Sequence, residues 1–320
     1  MIDLFSGIVG QDKAVNLLKR SIATDNISHA YLLAGPAGVG KTSAAIAFAY
    51  TLLAAADSDA QIFLQDNMHP DLMIIEKPEN KTLIGKDQIT REMEPWLALK
   101  PFRAARKAVI IKDSSLMSLE ASNAILKTLE EPPAYTVIIL ISDEMNLLET
   151  ILSRCQVVKF FPVADGVVEE FLINRGIEPN QAHQAARLAQ GSIGRALSFS
   201  QNVDFSGIWN DIKVLVDDFC RGQYATVFNA ASKMQADPSL YTSMMETILR
   251  DIYIYQQTKL EQLLAIPDNI DMIKAIPEVN PEKIRIALKR INKLKKYFRT
   301  NVNSLLISTN ISYEVFEALN

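Results

Sequence analysis

The run Gly35-Pro36-Ala37-Gly38-Val39-Gly40-Lys41-Thr42 fits G-x-x-x-x-G-K-[ST], and the chemistry of that spacing is the holding of phosphate groups. Its glycines let backbone N–H groups turn inward, Lys41 would reach the β- and γ-phosphates, and Thr42 would ligate Mg²⁺. A chance glycine turn would lack the flanks seen here. Ala30-Tyr31-Leu32-Leu33-Ala34 reads as a buried strand, and 43–56 as an apolar helix. Strand, glycine turn and helix N-terminus together make an anion site. The expected phosphate-holding residues are Gly35, Pro36, Gly38, Val39, Gly40, Lys41, Thr42 and Ser43.

Other elements must carry that loop. Residues 12–24 are amphipathic, and 72–75, 107–111 and 136–141 are short apolar runs rich in β-branched side chains. Helical spacing over 84–97 and 119–131 separates them, and this alternation predicts a parallel α/β sheet. Continuous apolar runs are expected of strands covered on both faces. Past Phe161-Pro162 no strand is predicted. Residues 167–174, 180–190 and 194–200 read as short helices, punctuated by Gly176 and Gly191. From 205 to 320 longer helices are expected, broken at Asp237-Pro238, Ile266-Pro267 and Asn280-Pro281. The expected organisation is an α/β nucleotide-binding domain (1–163), a small helical lid (164–203) and an all-helical C-terminal domain (204–320).

Composition narrows the function. A net charge of -4 argues against a protein that coats nucleic acid through its overall field, though not against a local basic face. With 48% hydrophobic and 22% charged residues the chain is globular. Two cysteines, Cys155 and Cys220, exclude a disulfide framework, and a four-ligand zinc site would have to draw on His29, His69 and His183. The opening Met1-Ile2-Asp3-Leu4-Phe5 lacks a basic, then apolar, secretory signal, and no apolar stretch is long enough to span a bilayer. A cytoplasmic location is expected.

P-loop ATPases normally hold Mg²⁺ with an acid at the end of a second strand. Here the strand Ala108-Val109-Ile110-Ile111 ends in Lys112-Asp113. Next come Asn123-Ala124-Ile125-Leu126-Lys127-Thr128-Leu129-Glu130-Glu131-Pro132-Pro133 and, after another strand, Ser153-Arg154-Cys155. With these motifs in this order, the chain resembles the bacterial replicative clamp-loader subunits. Gly7-Ile8-Val9-Gly10-Gln11, Ser28-His29-Ala30-Tyr31, His69-Pro70-Asp71 and Asn301-Val302-Asn303 extend the resemblance over essentially the whole chain.

The resemblance implies an α/β P-loop AAA+ domain, a helical lid and an all-α C-terminal collar. It also implies ATP or ADP as ligand, with Ile8 and Val9 flanking the adenine. Implied partners are motor subunits and a delta subunit in a hetero-oligomeric ring, the sliding clamp and, through the complex, primed DNA, with no membrane.

Departures from the motor subunit's pattern point to the family's catalytically impaired member. The motor carries Asp-Glu where this chain has Lys112-Asp113, fifteen positions before Lys127. A cation there repels Mg²⁺, and a one-residue shift to Asp113 turns the side chain to the opposite face of a strand. Gly194 stands where the motor has a nucleotide-sensing Arg, and Arg195 lies about 100° further around a helix. The four-cysteine zinc module of many relatives is missing between Ala56 and His69, so no zinc is expected.

The resemblance further implies that Arg154 acts in trans as an arginine finger on a neighbour's ATP, where a planar guanidinium outperforms lysine. On its residues alone it reads as a surface arginine at a buried-strand corner, and Cys155 as a small, unreactive core residue. Lys289, Arg290, Lys293, Lys295, Lys296 and Arg299, and separately Lys100, Arg103, Arg106 and Lys107, are candidates for DNA phosphates. For the first set a solvated helix face is the plainer reading. Two alternatives stay open. One is an active motor of the same loader; the other is an unrelated AAA+ ATPase that remodels DNA or protein.

Overall fold

Four apolar runs and a mixed one pair into a single parallel sheet. The computed structural model describes residues 3–63, 68–143, 145, 147–201, 205–299 and 302–320. Strands β1 (Ala30–Ala34), β2 (Leu72–Ile75), β3 (Lys107–Ile111), β4 (Thr136–Ser142) and β5 (Gln156–Lys159) lie in the order β2-β3-β4-β1-β5. All four pairings are parallel. Parallel neighbours need crossovers, and the intervening helices supply them.

Alternation along the strands splits the core in two. Tyr31, Leu33, Ile110 and Ile139 face α1 (Asp12–Ala23) and α2 (Lys41–Ala54), where Tyr31 meets Phe48 edge-on at 4.9 Å. Leu32, Val109, Ile138 and Leu140 face the other way. They pack with Met93 and Leu97 around α3 (Glu94–Ala98), Ile125 and Leu129 of α4 (Leu119–Glu130) and Ile151 of α5 (Glu149–Leu152). With helices on both faces, this is the α/β P-loop architecture that the sequence predicts, a parallel sheet between helices.

β5 is the strand that the sequence did not announce. It is short, exposed at both ends and set at the sheet edge, where it pairs with β1, and only Val157 and Val158 are apolar, so it lacks the longer apolar run that marks a central strand. Within 84–97 the helix begins later than its spacing suggests, as a π-helical turn over Gln88–Met93 that runs into α3.

The described residues divide into two compact units. One holds the residues up to Phe171 together with Gly191–Gly194; the other holds Leu172–Gln190 and the residues from Arg195 onward. After β5 the described residues contain no strand. The elements are α6 (Asp165–Ile173), α7 (Pro179–Leu188), α8 (Ile193–Ser200), α9 (Phe205–Cys220), α10 (Thr226–Lys233), α11 (Pro238–Thr258), α12 (Ile270–Ala275), α13 (Pro281–Leu294) and α14 (Ser304–Leu319).

The three prolines that punctuate this region begin helical turns. Pro238 and Pro281 open α11 and α13, and Pro267 opens a 3-10 turn before α12. A first-turn proline has no N–H to leave unsatisfied, and the residue before it supplies the cap. Asp237 accepts from the N–H of Leu240 at 3.0 Å, and Asn280 from that of Glu282 at 2.9 Å.

Within the second unit Phe219, Leu240, Ile248, Ile291 and Ile311 form a buried apolar interior, and α14 packs on α10 and α13. Buried Asp251 on α11 accepts from the N–H groups of Ala265 and Ile266 at 2.9 and 3.0 Å, and burial pushes its carboxyl above the usual range. Among the described residues no helix is long and apolar enough to cross a membrane.

Candidate functional site

The phosphate loop leaves the C-terminal end of β1, with the N–H of Gly35 donating to the Ser142 carbonyl of β4 at 3.2 Å. Two of its glycines are required by what surrounds them. A Cβ on Gly35 would sit 2.2 Å from the Phe160 carbonyl oxygen. Gly38, at φ +72°, would place one 2.3 Å from the Ser192 hydroxyl, and its carbonyl accepts the N–H of Gly194 at 2.8 Å. Gly194 thus lies backbone to backbone on the loop.

Gly40 is left-handed at φ 102° and no side chain caps α2, so the first amides of that helix point into the loop. Ile8 packs here, its Cγ2 3.6 Å from the Cβ position of Gly40, and Val9 is half-buried. Val39 is buried in the core, which leaves only its backbone for a ligand; Thr42 is half-buried, Ser43 exposed. Gln11, from the same opening motif, bonds the Phe161 backbone in both directions, at 2.7 and 3.2 Å.

The Lys41 ammonium is only 4% exposed. It donates to the carbonyls of Gly35 (2.6 Å) and Pro36 (2.5 Å) and to Asp143 Oδ1 (2.8 Å), just past β4. No motif in the sequence marks Asp143. Parallel pairing of β1 with β4 sets its backbone beside the loop.

Lys112 extends β3 and its ammonium pairs with Glu76, just past β2, at 2.7 Å. Asp113 is exposed in a left-handed turn at φ 47°, which leads into the 3-10 turn Ser114–Leu116.

Arg154 follows α5 by two residues. One guanidinium nitrogen donates to Glu130 at the end of α4 (2.6 Å), the other to the Thr150 carbonyl (2.8 Å) and the Ser153 hydroxyl (3.3 Å). Its side chain remains about one-third exposed, at 32%, so it is held in a fixed direction yet reachable. Burial pushes the neighbouring Cys155 thiol up to about 11, which leaves it protonated and unreactive at neutral pH.

Of the histidines the sequence offered for metal, His69 is committed to the fold. Its Nδ1 accepts the N–H of Asp71 at 3.0 Å, so Nε2 carries the hydrogen and donates to Asp57 at 3.1 Å. Asp57 also takes a forked pair from Arg103 at 2.6 and 3.0 Å. Asp71 accepts the N–H groups of Phe102, Arg103 and Ala104 at 2.7 to 2.8 Å.

Chiefly through the Arg103 hydrogen bond, the Asp57 carboxyl is held far below its ordinary 3.8. A depressed carboxylate stabilises the fold above its unfolded pKa, and that contribution is lost as pH falls toward the folded value. Wild type is therefore expected to lose stability steeply below about pH 4, whereas Asp57→Asn is less stable at pH 7 and flatter in acid. Urea unfolding of both chains from pH 7 to pH 2 checks this; parallel curves would refute it.

The same contacts answer for several candidate DNA-binding cations. Arg103 also pairs with Asp59, Arg106 with Asp25, and Lys107 is buried, donating to the Trp96 carbonyl at 2.7 Å. On the C-terminal run Arg290 pairs with Glu314 and Lys295 with buried Glu246. Asn301 and the side chains of Lys296 and Arg299 lie outside the described residues.

Residues 10–164 match the sequence family described as DNA polymerase III, delta subunit. Over 204 residues the chain is 32% identical to DNA polymerase III subunit delta' of Bacillus subtilis, a match covering 61% of each protein. It is 38% identical over 137 residues to the corresponding subunit of Pseudomonas aeruginosa, across 40% of this chain and 42% of that one. The matches thus span about three-fifths or less of these relatives' length. A solved gamma subunit-related protein of Thermotoga maritima aligns over 96% of this chain and 100% of its own, at 23% identity and a TM-score of 0.47. The loop geometry is that of a nucleotide-binding domain.

Proposed function

We propose that the chain is the delta prime subunit of a bacterial DNA polymerase III clamp loader. It holds ATP or ADP without hydrolysing it efficiently and supplies Arg154 to a neighbouring motor subunit. The observation that carries this reading is an intact phosphate loop in a chain whose β3 leads into Lys112, paired with Glu76, at the offset where the motor pattern has an acid. The amides of 35–42, Lys41 and Thr42 would hold the phosphates, and Ile8 and Val9 would flank the base. Mg²⁺ is held weakly or not at all. No zinc is expected, since no cysteine lies between Ala56 and His69 and both ring nitrogens of His69 are engaged.

In this reading 1–163 is the nucleotide domain, 164–203 a lid and 204–320 the collar of a cytoplasmic hetero-oligomeric ring. The ring contains motor and delta subunits and places a sliding clamp on primed DNA. Open rings need end members unlike the rest.

Mixing the purified chain with motor and delta subunits tests this. A stable complex with clamp- and DNA-stimulated ATPase, and little ATPase in the isolated chain, is the expected result. Robust turnover by the isolated chain would favour an active motor. Self-assembly with no affinity for the other subunits would favour an unrelated remodelling ATPase.

A further inference from the structure

We infer that Asp143 is a built-in competitor for the phosphate loop, an internal anion that a nucleotide must expel before Lys41 can hold its phosphates. The inference rests on the nucleotide-binding reading of the loop. An ammonium has three donors. In this structure three oxygens already stand within hydrogen-bond distance of Lys41 Nζ: the carbonyls of Gly35 and Pro36 and the carboxylate of Asp143. A phosphate oxygen reaches the lysine only by displacing one of them.

Two of the three belong to the loop itself and move only with its backbone. Asp143 sits just past β4, its side chain 25% exposed against 4% for Lys41, so it is the partner able to turn into water. It also sets a negative charge against the ammonium that a phosphate would approach, and the two anions repel each other there. The ligand class is a nucleoside di- or triphosphate, and the effect is a higher threshold concentration for occupancy rather than a change in chemistry.

A merely structural Asp143 would make the opposite prediction, since removing it would loosen the loop and weaken binding. The test is calorimetric titration of the full chain with ADP, without Mg²⁺, for wild type, Asp143→Asn and Asp143→Ala. Thermal melts establish that each variant is folded. Losing a charged hydrogen bond that competes with the ligand is expected to tighten ADP binding at least about tenfold in both variants.

In parallel, acetylation of Lys41 by an amine-reactive ester is read by peptide mass spectrometry. It is expected to run faster in both variants than in wild type when nucleotide is absent. Equal or weaker ADP affinity in the variants overturns the inference and leaves nucleotide binding standing, as does unchanged Lys41 reactivity. ADP binding to none of the three chains at millimolar concentration overturns both.

Discussion

Replacing Arg154 by alanine is expected to leave the chain folded and to disable a catalytic site that it does not itself contain. The residue is one-third exposed and its partner Glu130 about half exposed, so breaking their 2.6 Å pair costs the fold little. A thermal melt close to that of wild type and normal entry into the loader complex follow. The loss falls on the motor subunit whose ATP Arg154 would face. Trans arginine fingers contribute roughly 10³–10⁵ to the rate at the site they serve, so a drop of tenfold or more in stimulated ATPase there is a conservative expectation. Arg154→Lys should not rescue it, because the forked, planar donor is what the transferring phosphoryl group requires. Single-turnover ATP hydrolysis by the reconstituted complex, with clamp and primed DNA, measures this. A variant loader as fast as wild type would remove Arg154 from the mechanism.

Replacing Lys41 by alanine is expected to give the reverse pattern. The buried ammonium is the one strong cation in the loop, and losing its charged bonds to two phosphates costs about 3 kcal/mol or more, roughly a hundredfold in affinity. Nucleotide binding by the isolated chain should fall below detection, as followed with a fluorescent ADP analogue. The loader's ATPase should fall far less than with Arg154→Ala if, as proposed, hydrolysis takes place in the motor subunits. Alanine also leaves Asp143 and two carbonyls without their donor, so circular dichroism and a melt must accompany the titration. A Lys41→Ala loader more damaged than an Arg154→Ala loader would turn the assignment from delta prime to an active motor.

Much of this was legible in the chain because it rests on local rules. The apolar runs 30–34, 72–75 and 107–111 coincide with β1, β2 and β3, since strands buried on both faces need unbroken apolar sequence. The loop 35–42 was readable because closely approached turns admit only glycine at set spacings, and the helical half because prolines and caps mark helix starts. Lys112 in place of an acid was equally visible, being a matter of residue type at a fixed offset.

Tertiary structure alone decided the pairings. β5 could not be read, since an exposed edge strand carries little apolar signal. Asp143 reaches Lys41 across 102 positions of sequence, and Glu130 reaches Arg154 across 24. Sequence offers nothing to distinguish those carboxylates from many others, because what selects them is strand order. Setting β4 beside β1 brings the segment after it to the phosphate loop. The cations at 103, 106 and 107 show the converse: the sequence displays a basic cluster, and the fold spends it on Asp57, Asp59, Asp25 and the Trp96 carbonyl. Residue types and short spacings fix which chemistry is available, whereas burial and long-range pairing fix which of those groups remain free to perform it.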